Sequence, residues 1–461
     1  MASGPERFLS DPRYGDEFTR ARELLLAHPG RWRVIYHYDG DGIASATSAV
    51  RALRRLGYGL QATPLVGVDR SRMLELLHAT RGPVWVVDTG ATWLDSFAEH
   101  PYPVLVLDHH SYVPPERAAP DHVAFVNPLD WGVDGMSELC AATLTWLYTI
   151  FLDPKNWDNA PWGLSGAIAD RQHVGGFRGL NLRLLQEAED RQLVKRRVGV
   201  GLSGASVADA IQRSIDPYFR GLSGKREAVL EWLRGLAIEP AAALGSLAPA
   251  DLERLTKSLE DRLVRQGVRP EFVAAFRQEH YALPSVGIDA GELSELQNAC
   301  GRAGTPSLGV ALGVGDAAAL AQARTERERW RSGIEAGLAR LEAGQIQAMP
   351  HLQWFESPET PLAGTQAGLG MTYLLDPNRP VAVFTTGDGV LKVSARGTHW
   401  LVGRGLDLAR VCREAAAGVG GEGGGHKVAS GATIPKGSRD SFLTEANRLV
   451  GEQLAGAVGG A

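Results

Sequence analysis

Cysteine is scarce: Cys140, Cys300 and Cys412 are the only three in 461 residues, they lie far apart, and none has CxxC spacing. An odd, scattered set argues against a disulfide framework or a structural zinc site and fits reduced thiols. No apolar run approaches the ~18 residues that a membrane helix needs. The opening MASGPERFLSDPR lacks a basic stretch followed by a long apolar one, so a soluble cytoplasmic protein is expected. Positive charge is not in surplus either, with 48 Lys and Arg against 53 Asp and Glu and a formal net charge of −5. Nucleic-acid binding would therefore have to come from a local basic patch or from metal ions. No internal repeat is present.

What is there is an ordinary globular composition, 44% hydrophobic and 22% charged. The length suits two or three domains of about 100 to 200 residues each. Between residues 33 and 110, the β-rich runs RVIYHY, PVWVVD and PVLVLD alternate with helical stretches such as SATSAVRALRRLG and RSRMLELLHATRG. That alternation predicts an α/β fold with a parallel sheet. Further on, GMSELCAATLTWLYTIFL reads as a helix and WGLSGAIAD as a second one ending at Asp170.

Residues of about 200 to 340 read as helical and charged, and QAMPHLQWFESPETPLAG reads as a boundary. VAVFTTGDGVLKVSARG predicts a β-hairpin around Gly387-Asp388-Gly389. The organisation expected is a parallel-sheet domain at 1–200, a mainly helical insertion and connector at 201–344, and a smaller α/β domain at 345–461. The active site is expected in the cleft between the two α/β domains.

In such sheets ligands bind beyond the carboxyl ends of the strands, and the three runs end in HYDGDG, DTG and DHH. Taken alone, HYDGDG is as well explained as a polar turn, and a lone Asp at an element end is usually a cap. Four element ends together carrying His37, Asp39, Asp41, Asp88, Asp108, His109, His110 and Asp170 are harder to dismiss. Carboxylates mixed with imidazoles and no thiolate suit Mn²⁺, with Mg²⁺ or Co²⁺ as alternatives. Two such ions, about 3.5 to 4 Å apart, activate water and neutralise charge for in-line attack on phosphorus. Asp88 is the natural carboxylate to sit between them.

With the triplet Asp108-His109-His110, the ordered motifs before and after it and GGGH at residues 423–426, the chain resembles the DHH phosphoesterase superfamily. ELSELQNACGRAGTPSLGVALGVGD, residues 292–316, and GGGHKVASGATIP are similar to the archaeal branch of RecJ-like exonucleases. The resemblance implies that His37 and Asp39 hold one ion, that Asp41, His109 and Asp170 hold the other, and that Asp88 bridges them. It also implies that His110 lies close to the scissile phosphate and that Asp108 orients the imidazoles. For GMSELCAAT, a helix N-cap by Ser137 is a stronger expectation than a substrate role.

The same resemblance makes the GGGH segment the signature of a substrate-binding domain. A glycine run lets backbone N–H groups approach an anion, and Arg396 in VSARG can grip a phosphate bidentately. The substrate-binding set is Arg396, Gly424, Gly425 and His426, whereas His399, Arg404 and Lys436 read as solvated surface. Asn298 and Arg302 in NACGR are equally well explained as a cap and a surface pair and stay outside the set. The RecJ branch of larger bacterial enzymes appends an oligonucleotide-binding fold, for which no segment is left over here.

The function expected is a Mn²⁺-dependent exonuclease that releases mononucleotides from single-stranded DNA or RNA. The alternatives are a phosphodiesterase for short oligoribonucleotides, adenosine bisphosphate or linear dinucleotides, and a replication or repair scaffold. One residue, Tyr38, separates His37 from Asp39, which disfavours a pyrophosphatase of the DHH type. The partners expected are single-stranded nucleic acid or short oligonucleotides and no membrane, with a replication or repair protein and a dimer left open.

Overall fold

The apolar runs between residues 33 and 110 lie at the centre of a five-stranded sheet in the order β2-β1-β3-β4-β5, parallel throughout. The structure is a computed structural model that describes residues 12–456 apart from 68–69, 115–118 and 388. The strands are β1 (Arg31–His37), β2 (Gly59–Leu65), β3 (Val84–Val87), β4 (Val104–Leu107) and β5 (Val123–Val126). The opening residues MASGPERFLSD fall outside the described ones.

Every residue of VWVV in β3 and VLVL in β4 is buried. The reason is that both faces of the sheet are covered, and alternate side chains enter different cores. Trp85, Val87, Leu105 and Leu107 join one apolar cluster, whereas Val84, Val86, Val104 and Val106 join another.

The chain runs from β1 to β2 on one side and then crosses to β3 on the other, so the switch point of the sheet lies between β1 and β3. Ligand crevices form at such points. The register pairs Tyr36 with Val87 and Val87 with Leu107, so His37, Asp88 and Asp108 emerge side by side at one edge.

Packing divides the chain into two units. One comprises the described residues up to Gly199 together with Gln278–Glu328; the other comprises Val200–Arg277 and the described residues from Arg329 onward. The stretch 201–344, expected as one helical insertion, is thus shared between them. The same stretch contributes β7 (Arg277–Leu283) and β8 (Ile288–Asp289) to a three-stranded sheet with β6 (Lys195–Val200), which precedes it.

The second unit contains a mixed six-stranded sheet in the order β13-β14-β12-β11-β10-β9. Its strands are β9 (Gln347–Ala348), β10 (Gln353–Glu356), β11 (Val381–Thr386), β12 (Val390–Arg396), β13 (Glu422–Gly425) and β14 (Ala429–Pro435). β11 and β12 are the antiparallel hairpin expected from the sequence, closed by Gly387 N–H donating to the Val390 carbonyl at 2.9 Å. Asp388 lies outside the described residues, and Gly389 takes a left-handed φ of 74°. The glycine run is an edge strand rather than a loop. Among the described residues no helix is long and apolar enough to cross a membrane.

Candidate metal centre

Directly after β1, Asp39 caps the helix Gly40–Arg55: its Oδ1 accepts the Gly42 N–H at 3.1 Å. Gly40, Asp41 and Gly42 are the first helical turn, so the helix starts earlier than SATSAV. Neither glycine is left-handed. Their value is space, not turning. A Cβ on Gly42 would lie 2.1 Å from the His37 carbonyl oxygen, and one on Gly40 would lie 2.6 Å from Ala169 Cβ. Ala44, Ser45 and Ala46 are buried inside the helix, so their small size serves packing.

Asp41 points at the start of another helix, Ala141–Leu152. Its Oδ2 accepts the Ala141 N–H at 3.0 Å, and its Oδ1 accepts the Ala142 N–H at 2.9 Å and the Cys140 thiol at 3.1 Å. A helix N-terminus carries free N–H groups and partial positive charge, which suits a carboxylate. Ser137 does not cap this helix: Cys140 holds the N-cap position, and the Ser137 hydroxyl donates to Asp134 at 2.6 Å. The chemical contribution of GMSELCAAT is thus its backbone N–H pair, which the sequence reading missed.

Asp88 follows β3 with φ 59°, a conformation rare outside glycine and tolerated best by Asp and Asn. It is 2% exposed, and its Oδ2 is buried with no hydrogen-bond partner. His37 Nδ1 lies 3.6 Å from that oxygen and 3.0 Å from Asp39 Oδ2. On the other side, His109 Nε2 lies 3.3 Å from Asp88 Oδ1 and 3.6 Å from Asp41 Oδ2. The His109 ring is held by Nδ1 donating to the Gly135 carbonyl at 2.7 Å, which leaves Nε2 facing the carboxylates.

Asp108 turns away from the cluster to organise it. Its Oδ2 accepts the Ala91 N–H at 2.8 Å, while its Oδ1 accepts the His109 N–H and the His110 Nδ1–H, each at 2.8 Å. His110 is about half exposed. Asp170, at the C-terminus of the helix Ala160–Ala169, accepts from Gln172 Nε2 at 2.7 Å, and the same amide donates to Gly135 O. Asn181 in turn donates to Gln172 Oε1 at 2.7 Å, so Asp170 and His109 share one buried amide network.

These side chains form overlapping donor groups: His37, Asp39 and Asp88; Asp41, His109 and Asp170; and Asp88, His109 and His110. Within each group the donor atoms lie within 4.8 Å of one another. The six residues expected as ligands are therefore brought together around Asp88, with Asp108 beside them and His110 at the rim.

Proton affinities report the excess of negative charge. Burial works against the charged imidazoles, yet Asp39 and Asp88 push His37 up to about 11, and Asp88 with Asp41 raises His109 well above the usual histidine value. Burial alone would raise Asp88, but His109 and His37 hold it far below the usual carboxylate range. Burial first, and then the Asp88 charge, push Asp41 up; burial is also the main reason that Asp170 rises to about 6. A divalent cation fits here, because it satisfies the orphaned Asp88 Oδ2 and replaces the protons that the imidazoles hold. Oxygen and imidazole donors suit Mn²⁺ or Mg²⁺.

In the second unit, β12 ends at Arg396, which pairs in register with Ala429 of β14, while Gly425 of β13 pairs with Ser430. Arg396 and the GGGH segment therefore share one end of the sheet. The His426 N–H donates to the Ala429 carbonyl at 2.8 Å, making the tight β13–β14 connection. The three glycines differ in what demands them. A Cβ on Gly423 would lie 2.3 Å from the Cys412 carbonyl oxygen, Gly425 has φ 136°, and nothing lies within 4 Å of the Cβ position of Gly424. His426 is exposed.

Sequence reasoning left out Asn298, and the structure brings it to the centre: its Oδ1 accepts the Gly40 N–H at 3.1 Å. Gly301, one helical turn on, presses so close that a Cβ would lie 2.1 Å from the Tyr38 carbonyl oxygen. Arg302 is exposed. The signal that could have found Asn298 was NACGR itself, in which an acceptor and a glycine are three residues apart on one helix face.

A switch-point crevice lined by Asp and His donors for divalent cations, with a separate glycine-rich anion-type segment, defines a metal-dependent phosphoesterase. Residues 31–169 match the DHH family, N-terminal domain, and residues 371–452 match the DHHA1 domain, so the chain carries both of these domains. Along 95% of its length it is 25% identical to the uncharacterized protein MJ0831 of Methanocaldococcus jannaschii, of which it covers 98%.

Among solved structures, it is similar in fold to RecJ in complex with Mn²⁺ from Thermus thermophilus, with TM-score 0.57 and 20% identity over 96% of this chain. It spans only 55% of that longer protein. It is also similar to CDC45 from Entamoeba histolytica, with TM-score 0.64 and 9% identity, covering 98% of this chain and all of the other.

Proposed function

We propose that the protein is a Mn²⁺-dependent phosphodiesterase that removes nucleotides from an end of single-stranded DNA or RNA. The observation that carries the reading is the pair of donor groups joined at Asp88, with a buried oxygen that no protein group satisfies. Two divalent ions, when bound, supply water activation near neutral pH and neutralise the charge of the attacked phosphate.

The chain's own residues do the rest. His37 and Asp39 would hold one ion and Asp41, His109 and Asp170 the other, with Asp88, which approaches both His37 and His109, available to either. The helix N-terminus at Ala141 and Ala142 and the Gly135 carbonyl fix Asp41 and His109 before substrate arrives, so little reorganisation remains at the moment of reaction. Asp108 keeps the His110 imidazole protonated on Nδ1 and raises its proton affinity. At the rim, His110 is then placed to donate from Nε2 to a departing oxygen. In the second unit, the open space over Gly424 and the cationic Arg396 suit the terminal nucleotide's phosphate.

The RecJ from Thermus thermophilus, similar in fold, is a complex with Mn²⁺, which supports the choice of ion. A scaffold role is the weaker reading, because here the whole donor set is in place. The test is hydrolysis of end-labelled single strands with Mn²⁺ by the wild type and by Asp88→Ala and His109→Ala. Loss of activity in both variants is expected, and full activity in either would overturn the reading. Products from trimers and 20-mers separate the long-strand reading from the short-oligonucleotide one.

A further inference from the structure

The net charge of −5 leaves nucleic-acid binding to local patches, and the second unit contains one that has no role in the site described above. Several arginines of this chain face carboxylates, as Arg277 does with Glu253 and Glu260 and Arg448 does with Glu445 and Glu452. Arg220, Arg262, Arg265, Arg269 and Arg404 differ: among the described residues none has a carboxylate oxygen within ion-pair distance. They are also neighbours. Arg262 Nη1 donates to the Arg220 carbonyl at 2.9 Å, and Arg265 sits one turn further along the same helix, Pro249–Arg265. Gln266, the next residue, accepts the Arg220 N–H at 3.0 Å. Arg269 comes after the turn at Gly267.

From there the row continues through an aromatic ring. The Arg269 guanidinium lies 4.8 Å from the Trp400 ring centroid, and that of Arg404 lies 4.7 Å from it. Trp400 is 39% exposed, an unusual place for the largest apolar side chain. Arg262 likewise lies 5.7 Å from the Trp232 ring. The Nε atoms of Arg262 and Arg269 are both buried without a hydrogen-bond partner, so this unit leaves cationic donors unsatisfied as well as uncompensated.

We infer that this row is a second nucleic-acid contact, which grips the phosphates of a single strand beyond its terminal nucleotide and packs a base against Trp400. Arginine forks match phosphate oxygens, and exposed tryptophan is the typical stacking surface for unpaired bases. The inference rests on the phosphodiesterase reading for its choice of ligand, and it supplies a grip on long strands beyond the terminal nucleotide. Arg404, which reads as ordinary solvated surface in the sequence, becomes one end of the row.

The test is binding, measured without metal, so that it is independent of hydrolysis. Fluorescein-labelled single-stranded DNA of 3 and 20 nucleotides is titrated with the full-length chain and with the double variant Arg265→Glu/Arg404→Glu, whose side chains are exposed. The wild type is expected to bind the 20-mer at least about 10-fold more tightly than the 3-mer. Its log affinity should fall with log salt at a slope near −0.7 per phosphate contacted. The double variant should lose that length preference and flatten the salt slope, with an unchanged thermal transition. Arg265→Lys/Arg404→Lys should keep much of the slope, and Trp400→Ala should weaken binding while leaving the slope intact.

Equal affinities for the two lengths in the wild type, or an unchanged preference in the double variant, would overturn the inference. Displacement of the 20-mer by poly-glutamate of equal charge as readily as by unlabelled DNA would overturn it in favour of an acidic protein partner. Failure of all hydrolysis, with length-dependent binding retained, would instead strike only the phosphodiesterase reading.

Discussion

Asn298 Oδ1 accepts the backbone N–H of Gly40 at 3.1 Å, across 258 positions of sequence. The contact joins the helix Ala290–Arg302 to the first turn of the helix Gly40–Arg55, which carries Asp41 and directly follows His37 and Asp39. Residues that hold ligands in place without touching the ion commonly change affinity by about 10- to 100-fold when removed. Asn298→Ala should therefore weaken Mn²⁺ binding by about that factor. Calorimetric titration checks it, and the thermal transition of the metal-free protein should move little.

Gly42→Ala should destabilise the fold, opposite in sign to the usual gain of alanine over glycine in a helix. The new Cβ would meet the His37 carbonyl oxygen at 2.1 Å, and β1 cannot retreat from it because it is hydrogen-bonded on both sides. A loss of roughly 3 kcal/mol is expected, read as a lower urea midpoint. Weaker metal binding should accompany it, since the helix turn that carries Asp41 must shift away from His37.

Mn²⁺ affinity should keep rising with pH well past neutrality. His37 holds its proton up to about 11 in the metal-free protein, and His109 is also raised, so an ion must expel protons to bind. Affinity therefore falls as pH falls. Calorimetry in buffers of different ionisation enthalpy at pH 8 should show protons released per ion bound, and a pH-independent affinity between pH 7 and 9 would contradict the assignment of His37 and His109.

Asp170 gives the metal-free protein a pH slope of its own. Its carboxyl is pushed up to about 6 from an ordinary 3.8, so the folded state holds a proton that the unfolded chain has already lost between those values. Stability contributed by that proton is present below about pH 4 and is lost as pH rises through about 6. Asp170→Asn should remove this part of the slope, raise the metal-free melting temperature at pH 7 and cost metal affinity. Thermal scans from pH 4 to 8, with and without Mn²⁺, check both halves.

The sequence by itself determined the parallel sheet at the start of the chain and the placing of polar residues at its strand ends. Short β-branched runs such as VWVV and VLVL, set between helical stretches, read as strands buried on both faces, and the residues just after such strands lie at a ligand-binding edge. The hairpin at residues 381–396 was legible for the same local reason: alternation and a glycine-rich turn are short-range signals.

Only the tertiary structure decided what holds the charged cluster and what shares its unit. Asp41 meets the N-terminus of Ala141–Leu152, Gly40 meets Asn298, and the segment 278–328 folds with the first unit although residues 200–277 leave it. The arginine row beside Trp400 likewise joins residues far apart in sequence. Ligand chemistry is written in residue type and spacing, but the groups that orient it are backbone N–H and C=O groups, which every residue carries alike. Which of them faces a carboxylate is settled by close packing between distant segments, and no local pattern encodes that choice.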